Sequence, residues 1–508
     1  MECIITIEIG TGAIRVVAFD LNGVLLGSSK GAYPTFHAKP NFSEQDPEQI
    51  FITMLYILKN FLTEKIHPKK YKVTAICFNS AMHSVLPIDK KGVPLGNAIV
   101  WSDNRAKKEA DDLKQSDLGM SLYKTTGTPI HAMSPLNKIL WLKNNDQKRF
   151  AATKKFLSIK TYIIQQLTGE YIVDYSIASA TGMMNIYSLK WEENALKYAG
   201  IDKEKLADIV PVFYSPKTLK KEYQVSLGLP DNVKMIVGSS DGCMATLGAG
   251  VWNDGKATIT LEESGAIRVV GNEVLQDEKQ RLFNYILTEG CYISGGPSNN
   301  VGSVFEWYAK QFGDFKKAFD LEDCMENLNN DAANVPVGSE GLIFLPYLQG
   351  ERAPIWNANA RGVYFGLNIK HEQKHFVRAT IEGIIYAFYN IGKALEEHRR
   401  FETLSANGTF ASYPFWLQIM ADVFNKPVHI KQNSGPDSVA LGGYLLSATA
   451  IGLYKNLDEA AQKVLLLDRF HPQQPNHKIY MKHYEIFERL STKLADEFDA
   501  VAELQYNK

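Results

Sequence analysis

The chain has 508 residues, too many for one ordinary hydrophobic core, so at least two domains are expected. Hydrophobic residues make up 45% and charged residues 22%, which excludes a disordered chain, and a formal net charge of -1 gives no reason to expect nucleic acid or an anionic membrane as a partner. Five cysteines without CxxC spacing exclude a disulfide framework or zinc site and fit buried thiols of a reducing, cytoplasmic compartment.

In chain order, residues 3–9 carry a β-branched run that reads as a strand; GTGA breaks it and residues 14–19 resume it. No basic segment or cleavage site precedes that strand, so no signal peptide is expected. Asn22-Gly23 is the favoured dipeptide of a two-residue hairpin turn, and residues 24–26 begin a third strand. Asp46-Pro47-Glu48 reads as a helix start, with a capping Asp, Pro at the first helical position and an acid in the first turn. Phe51, Met54, Leu55, Leu58 and Leu62 continue it at helical spacing. Residues 73–78 and 98–101 read as strands. Residues 233–237 read as another, running into Gly238-Ser239-Ser240-Asp241-Gly242 and a small-residue helix. The longest uncharged run, residues 438–454, is slightly short for a membrane span and reads as a buried helix. A charged amphipathic helix follows Pro472.

An internal repeat sets the architecture. GAIRVV occupies residues 12–17 and again 265–270, after TIEIGT and TITLEES respectively. The period is far too long for a solenoid, and matching strand-turn-strand settings point to a duplicated α/β domain, each copy opening with a hairpin. The expected domains are 1–247 and 248–508, with Gly248-Ala249-Gly250 as a flexible joint and a ligand-binding cleft between the halves.

Several segments could carry chemistry. In the first turn, Gly10 lets the backbone approach a phosphate, and the Thr11 hydroxyl and successive N–H groups could donate to it; the same residues would serve an ordinary hairpin. Asp241 either caps the helix it opens or presents a carboxylate able to accept a hydroxyl proton. Met82-His83 and Trp101-Ser102-Asp103-Asn104-Arg105 each follow a strand. The latter combines a flat apolar face with hydrogen-bonding charges, as polyol recognition demands, whereas a lone His is more often a structural hydrogen-bonder.

Over nearly its whole length the chain resembles the FGGY family of carbohydrate kinases. The resemblance is carried by the opening hairpin, FSEQDPEQI, SAMHS, WSDNRA, GSSDGC, SGGPSNN, LPYLQGERAPIWNANARGVYFGL, ATIEGIIYAF and SVALGG. Residues 126–142 and 173–185 look most like the gluconate kinases. The resemblance implies two RNase-H-like domains of the actin/hexokinase type around an interdomain cleft. It also implies ATP with Mg²⁺, transfer of the γ-phosphoryl to a primary hydroxyl of a small sugar or sugar acid, and, as a family-level expectation, a homodimer. Position by position, Asp241 matches the general base, and Met82, His83 and Trp101 match residues lining the sugar. Gly10, Thr11 and Arg15 match the first phosphate loop, and Ser264 and Gly265 fall in the second. Gly408, Thr409, Asp437, Ala440 and Gly442 match the stretch holding adenine and ribose, while Glu8 and Asp241 would meet Mg²⁺ bound to ATP. A gluconate carboxylate would need a cation or amide, for which His83 and Arg105 are the candidates.

Three departures from the family pattern fall on nucleotide positions. Glu8 stands where Asp is usual; the extra methylene moves the carboxylate by roughly 1 Å, enough to lower a rate about 10²-fold where geometry is tight. Glu262-Glu263-Ser264-Gly265 replaces Gly-Thr-Ser-Gly, and a carboxylate about 4 Å from a phosphate charge repels it by roughly 1–4 kcal/mol. Either these glutamates rotate into solvent, or they recruit a second cation, or triphosphate binds poorly. Gly408-Thr409 replaces Gly-Gly, with Ser412 where a basic residue is common. The expected function is phosphorylation of gluconate to 6-phosphogluconate; the alternatives are a catalytically weakened sugar-binding homologue and a kinase for xylulose, ribulose or glycerol.

Overall fold

The computed structural model describes residues 1–506 except 316–317, 433–434 and 436. The chain forms two compact units. The first comprises Met1–Trp252, Gly271–Ser294 and Ser438–Lys463, and the second Asn253–Val270, Gly295–Asp437 and Val464–Lys508.

In the first unit five strands, β1 (Glu2–Ile9), β2 (Ala13–Asp20), β3 (Leu25–Ala32), β4 (Lys72–Ser80) and β5 (Lys234–Ile236), lie in the order β5-β4-β1-β2-β3. β1, β2 and β3 form an antiparallel meander, while β4 runs parallel to both β1 and β5. In the second unit β6 (Gly255–Leu261), β7 (Gly265–Gly271), β8 (Phe401–Asn407), β9 (Val428–Lys431) and β10 (Leu466–Phe470) lie in the order β7-β6-β8-β9-β10. Here β6 is antiparallel to β7 and parallel to β8, and β8 is parallel to β9. Four strands therefore repeat with the same order and sense, and the two GAIRVV copies form the return strands of the two opening hairpins. The duplication read from the sequence is a duplication of structure.

Burial follows the strand period. Cys3, Ile5, Ile7 and Ile9 of β1 and Ile14, Val16 and Ala18 of β2 share one core with Ile50, Met54 and Phe61 of the Pro47–Phe61 helix. That helix starts as expected: Asp46 accepts the amides of Glu48 (2.9 Å) and Gln49 (3.2 Å), and Pro47 takes the first position. The turn at Asn22-Gly23 is longer than the two-residue form. The Asp20 carboxylate accepts the amides of both Asn22 and Val24 at 2.9 Å, and Gly23 takes a φ of 81°. The strand expected at 98–101 shrinks to Ala98–Ile99. All five cysteines are free thiols, and among the described residues no helix is long and apolar enough to cross a membrane.

Gly248, expected to belong to a flexible joint, is instead the last residue of a packed helix. Gly248 closes the Asp241–Gly248 helix, which packs backbone against backbone on the Ser438–Ala450 helix. A Cβ at Gly248 would collide with the Ser438 carbonyl oxygen, and one at Gly442 with the Met244 carbonyl oxygen. These glycines permit contact rather than hinge motion, which is why residues 438–463 return to the first unit and make it discontinuous. In Gly442→Ala the better helix propensity of Ala, about 1 kcal/mol, opposes a clash with backbone that cannot swing aside, typically about 1–3 kcal/mol. The clash should win, giving a lower melting temperature; a variant melting with or above the parent would show slack between the helices.

Candidate active site

Asp241 follows β5 and opens the Asp241–Gly248 helix. The capping alternative is decided by Ser240, which occupies the cap position and accepts the Cys243 amide at 3.4 Å. Asp241 is half-buried, and its Oδ1 accepts the adjacent Gly242 amide at 2.6 Å. The loop that carries it is pinned from behind. Lys160 and Asp174 form a buried ion pair (2.7 Å), and the Lys160 ammonium also donates to the Phe78 and Ser239 carbonyls at 3.3 and 3.1 Å. Asp174 in turn accepts the Ser176 hydroxyl at 2.6 Å, and the Ser176 oxygen accepts the Ser240 amide at 2.8 Å.

The first hairpin closes with the Gly10 amide on the Ala13 carbonyl at 3.0 Å, and Arg15 stands opposite Glu8 in the register. The Trp101 indole N–H donates to the Thr11 hydroxyl oxygen at 2.9 Å, so a residue expected at the sugar and one expected at a phosphate are in contact. The Tyr33 hydroxyl donates to the Gly10 carbonyl and the Gln45 amide to the Thr11 carbonyl, fixing the tip. Burial raises the Tyr33 phenol, and the nearby charge of Glu8 raises it further.

Met82 packs against the first core, and His83 is buried with a φ of 67°, a left-handed conformation that a non-glycine residue adopts only when held. Its Nδ1 donates to the Ala180 carbonyl at 2.8 Å, which in the neutral imidazole leaves Nε2 to accept the Tyr285 hydroxyl at 3.2 Å. A cavity of ≈ 30 Å³ lies beside His83, Phe156 and Met183, room for about one water; its lining includes neither Trp101 nor Asp241, so it is not a sugar site. Arg105 is not available to a substrate carboxylate. It is buried, binds Asp103 through Nε and Nη2 (2.7–3.0 Å) and Glu44 at 2.7 Å, and lies over the Phe42 ring at 3.7 Å.

In the second unit, Glu262 turns its carboxylate onto Thr409. Oε1 accepts the Thr409 amide at 3.0 Å and Oε2 its hydroxyl at 2.8 Å. Glu262 therefore does not rotate into solvent but is held by Thr409, whereas Glu263 is exposed. Gly408 (φ 97°) allows the approach, since a Cβ there would lie 2.5 Å from the Leu261 carbonyl oxygen. The carbonyls of Glu262 and Glu263 accept the Gly302 and Ser303 amides at 2.9 and 3.0 Å, and Gly265 is packed too closely against the Thr260 carbonyl and Phe388 to carry a side chain. The buried Glu351 joins two motif segments, accepting from Ser298 (2.7 Å), the Asn299 amide (2.9 Å), Asn300 (3.2 Å) and the Arg352 amide (2.7 Å). Burial pushes its carboxyl up and these donors oppose the shift.

Models of the N-terminal and C-terminal domains of the FGGY family of carbohydrate kinases match residues 3–248 and 261–451. The chain belongs to the FGGY carbohydrate kinases. It is 37% identical over 504 residues to a gluconokinase of Bacillus subtilis (strain 168), covering 98% of this chain and 97% of that one. To a xylulose kinase of Lactococcus lactis subsp. lactis (strain IL1403) it is 28% identical over 497 residues, 96% of each. Among solved structures it is similar to a gluconate kinase from Lactobacillus acidophilus (TM-score 0.91, 33% identity, 98% of this chain and 99% of that one). It is equally similar to a ligand-bound xylulose kinase from the same organism (TM-score 0.92, 33% identity, 99% and 100%). Family membership makes the chain a sugar phosphotransferase that uses ATP.

Met82, His83, Trp101 and Asp241 lie in the first unit, and Ser264, Gly265, Gly408 and Thr409 in the second. Asp437 immediately precedes the Ser438–Ala450 helix. Ala440 and Gly442 are buried within that helix, so Gly442 serves helix packing, a role its place in the motif did not reveal. Among the described residues no group of three or more His, Cys, Asp or Glu converges to hold a metal.

Sequence reasoning missed Lys138, Lys160 and Glu351, whose only signal was a charged residue inside an apolar helical or loop pattern. The Lys138 amine is pushed down to about 7, chiefly by burial, with Asp103 acting in the opposite direction. Between that value and the usual 10.5 the unfolded chain holds a proton that the folded chain has released, so this group's contribution to stability rises with pH across that window. The melting temperature of the parent should therefore rise relative to Lys138→Met between about pH 7 and 9; parallel curves would contradict a desolvated amine.

Proposed function

We propose that the chain phosphorylates gluconate on its terminal primary hydroxyl, using ATP with Mg²⁺ and releasing 6-phosphogluconate and ADP in the cytoplasm. The observation that carries gluconate is the 37% identity over 504 residues to a gluconokinase, against 28% over 497 residues to a xylulose kinase. The Asp241 carboxylate accepts the hydroxyl proton as the sugar oxygen attacks the γ-phosphorus and the bond to the bridging oxygen breaks. Phosphoryl transfer asks the protein mainly for positioning and charge stabilisation, and the ion-paired scaffold behind Asp241 supports that positioning. Trp101 offers the sugar an apolar face, whereas Arg105, committed to Asp103 and Glu44, and His83, with both ring nitrogens bonded, could meet the carboxylate end only by exchanging partners. Glu8 and Asp241 are hard oxygen donors that suit Mg²⁺ held jointly with phosphates, where the ion would neutralise developing charge.

Xylulose is the second reading, because a xylulose kinase matches the whole chain with a TM-score of 0.92. The purified protein, ATP and Mg²⁺ should release ADP with gluconate at least about tenfold faster than with xylulose, ribulose or glycerol. Asp241→Ala should lower kcat about 10²–10⁴-fold. Preference for another sugar, or silence on all four, would sink the gluconate reading. Because Glu262 already has partners on Thr409, restoring Gly-Thr at 262–263 should change kcat/KM for ATP by less than about tenfold; a gain of several orders of magnitude would instead identify the natural chain as a weakened homologue.

A further inference from the structure

Lys138 lies on the Pro135–Asn145 helix and is fully buried. Its amine nitrogen donates to two backbone carbonyls, His83 at 2.8 Å and Val100 at 2.7 Å. Those carbonyls belong to the two loops that present Met82-His83 and Trp101. Lower down, the loops are joined by a reciprocal bridge between Val85 and Ile99, with N–H···O distances of 2.8 and 2.9 Å; at their ends one nitrogen holds both. His83 has the left-handed φ that requires such support, and Val100 immediately precedes the indole that donates to Thr11. A buried amine is expensive unless its donors are used, and here both hydrogen-bond partners are loop carbonyls. Its charged surroundings, Asp103 and Arg105, belong to the same Trp101 loop.

We propose that Lys138 is a positioning residue of the sugar site, fixing the His83 and Trp101 loops in register with one another so that their side chains meet the substrate as a single surface. It deepens the functional reading above, on which it rests for the assignment of His83 and Trp101 to the sugar. A purely structural lysine would lower stability and leave the KM values of both substrates in proportion. A positioning lysine acts on the sugar side alone.

The test is steady-state kinetics of the full chain and its Lys138→Met variant, with sugar and ATP varied separately. The sugar KM should rise about tenfold or more, as expected when binding groups shift by about 1 Å, while the ATP KM stays within about twofold. Lys138→Gln, whose amide keeps donors on a shorter arm, should fall between parent and Lys138→Met, and replaces it should Lys138→Met not fold. An unchanged sugar KM, or equal increases in both KM values, overturns the proposal. Failure of both variants to fold also overturns it, since Lys138 would then hold the whole unit. The parent is the control that separates the two readings: turnover of xylulose but not gluconate sinks the substrate assignment, and the xylulose KM then tests Lys138. A parent that turns over no sugar, and shows no saturable change of tryptophan fluorescence with gluconate, sinks both.

Discussion

A charged group taken out of water must find partners inside the protein, and in the first unit this constraint organises the candidate active site. The Lys160–Asp174 pair is the clearest instance. Replacing such a pair wholesale by apolar residues is often neutral, but removing one partner strands the other at about 3–5 kcal/mol. The pair is therefore weak evidence for stability and stronger evidence for definition of shape. Lys160 reaches the carbonyl ends of β4 and of the Ser239 loop, and Asp174 passes the connection through Ser176 to the amide of Ser240. The ion pair is thus linked through two hydrogen bonds to the amide of Ser240, the residue that caps the Asp241 helix.

Arg105 follows the same rule with a different result. Its guanidinium lies between Asp103, Glu44 and the Phe42 ring, and the Asp103 carboxylate also accepts the Ser43 amide at 2.6 Å. The WSDNRA segment reads as a recognition motif because aromatic and charged residues alternate in it. In the folded chain the charges of Asp103 and Arg105 satisfy one another, and Trp101 is the member that reaches the hairpin.

Much of the architecture was legible in the sequence because duplication leaves the same pattern twice. The GAIRVV copies marked the return strands, and Asp46-Pro47 marked a helix start whose cap geometry is local. What could not be read depends on contacts distant in sequence. Gly248 looks the same in a string whether it hinges or packs; only the arrival of Gly442 nearly two hundred residues later distinguishes the two. Lys138 reads as the polar exception in an apolar helix until the His83 and Val100 carbonyls, from separate loops, are placed at its tip. The role of Asp241 was left between cap and base for a related reason: Ser240 and Asp241 are both capping residue types, and one residue of register separates them.

The departures at the second hairpin show why substitutions are better weighed in pairs. Glu262 alone would place an unsatisfied carboxylate beside an expected phosphate, and Thr409 alone would add bulk beside Gly408. Together they form two hydrogen bonds, and each supplies what the other lacks. The tip carbonyls tell a parallel story across the duplication. In the first copy the carbonyls of Gly10 and Thr11 are taken by Tyr33 and Gln45; in the second, those of Glu262 and Glu263 are taken by the amides of Gly302 and Ser303. Different partners reach one result: the tip carbonyl oxygens of both hairpins are bonded. The Glu262 carboxylate keeps its charge, but the two bonds from Thr409 fix where that charge stands.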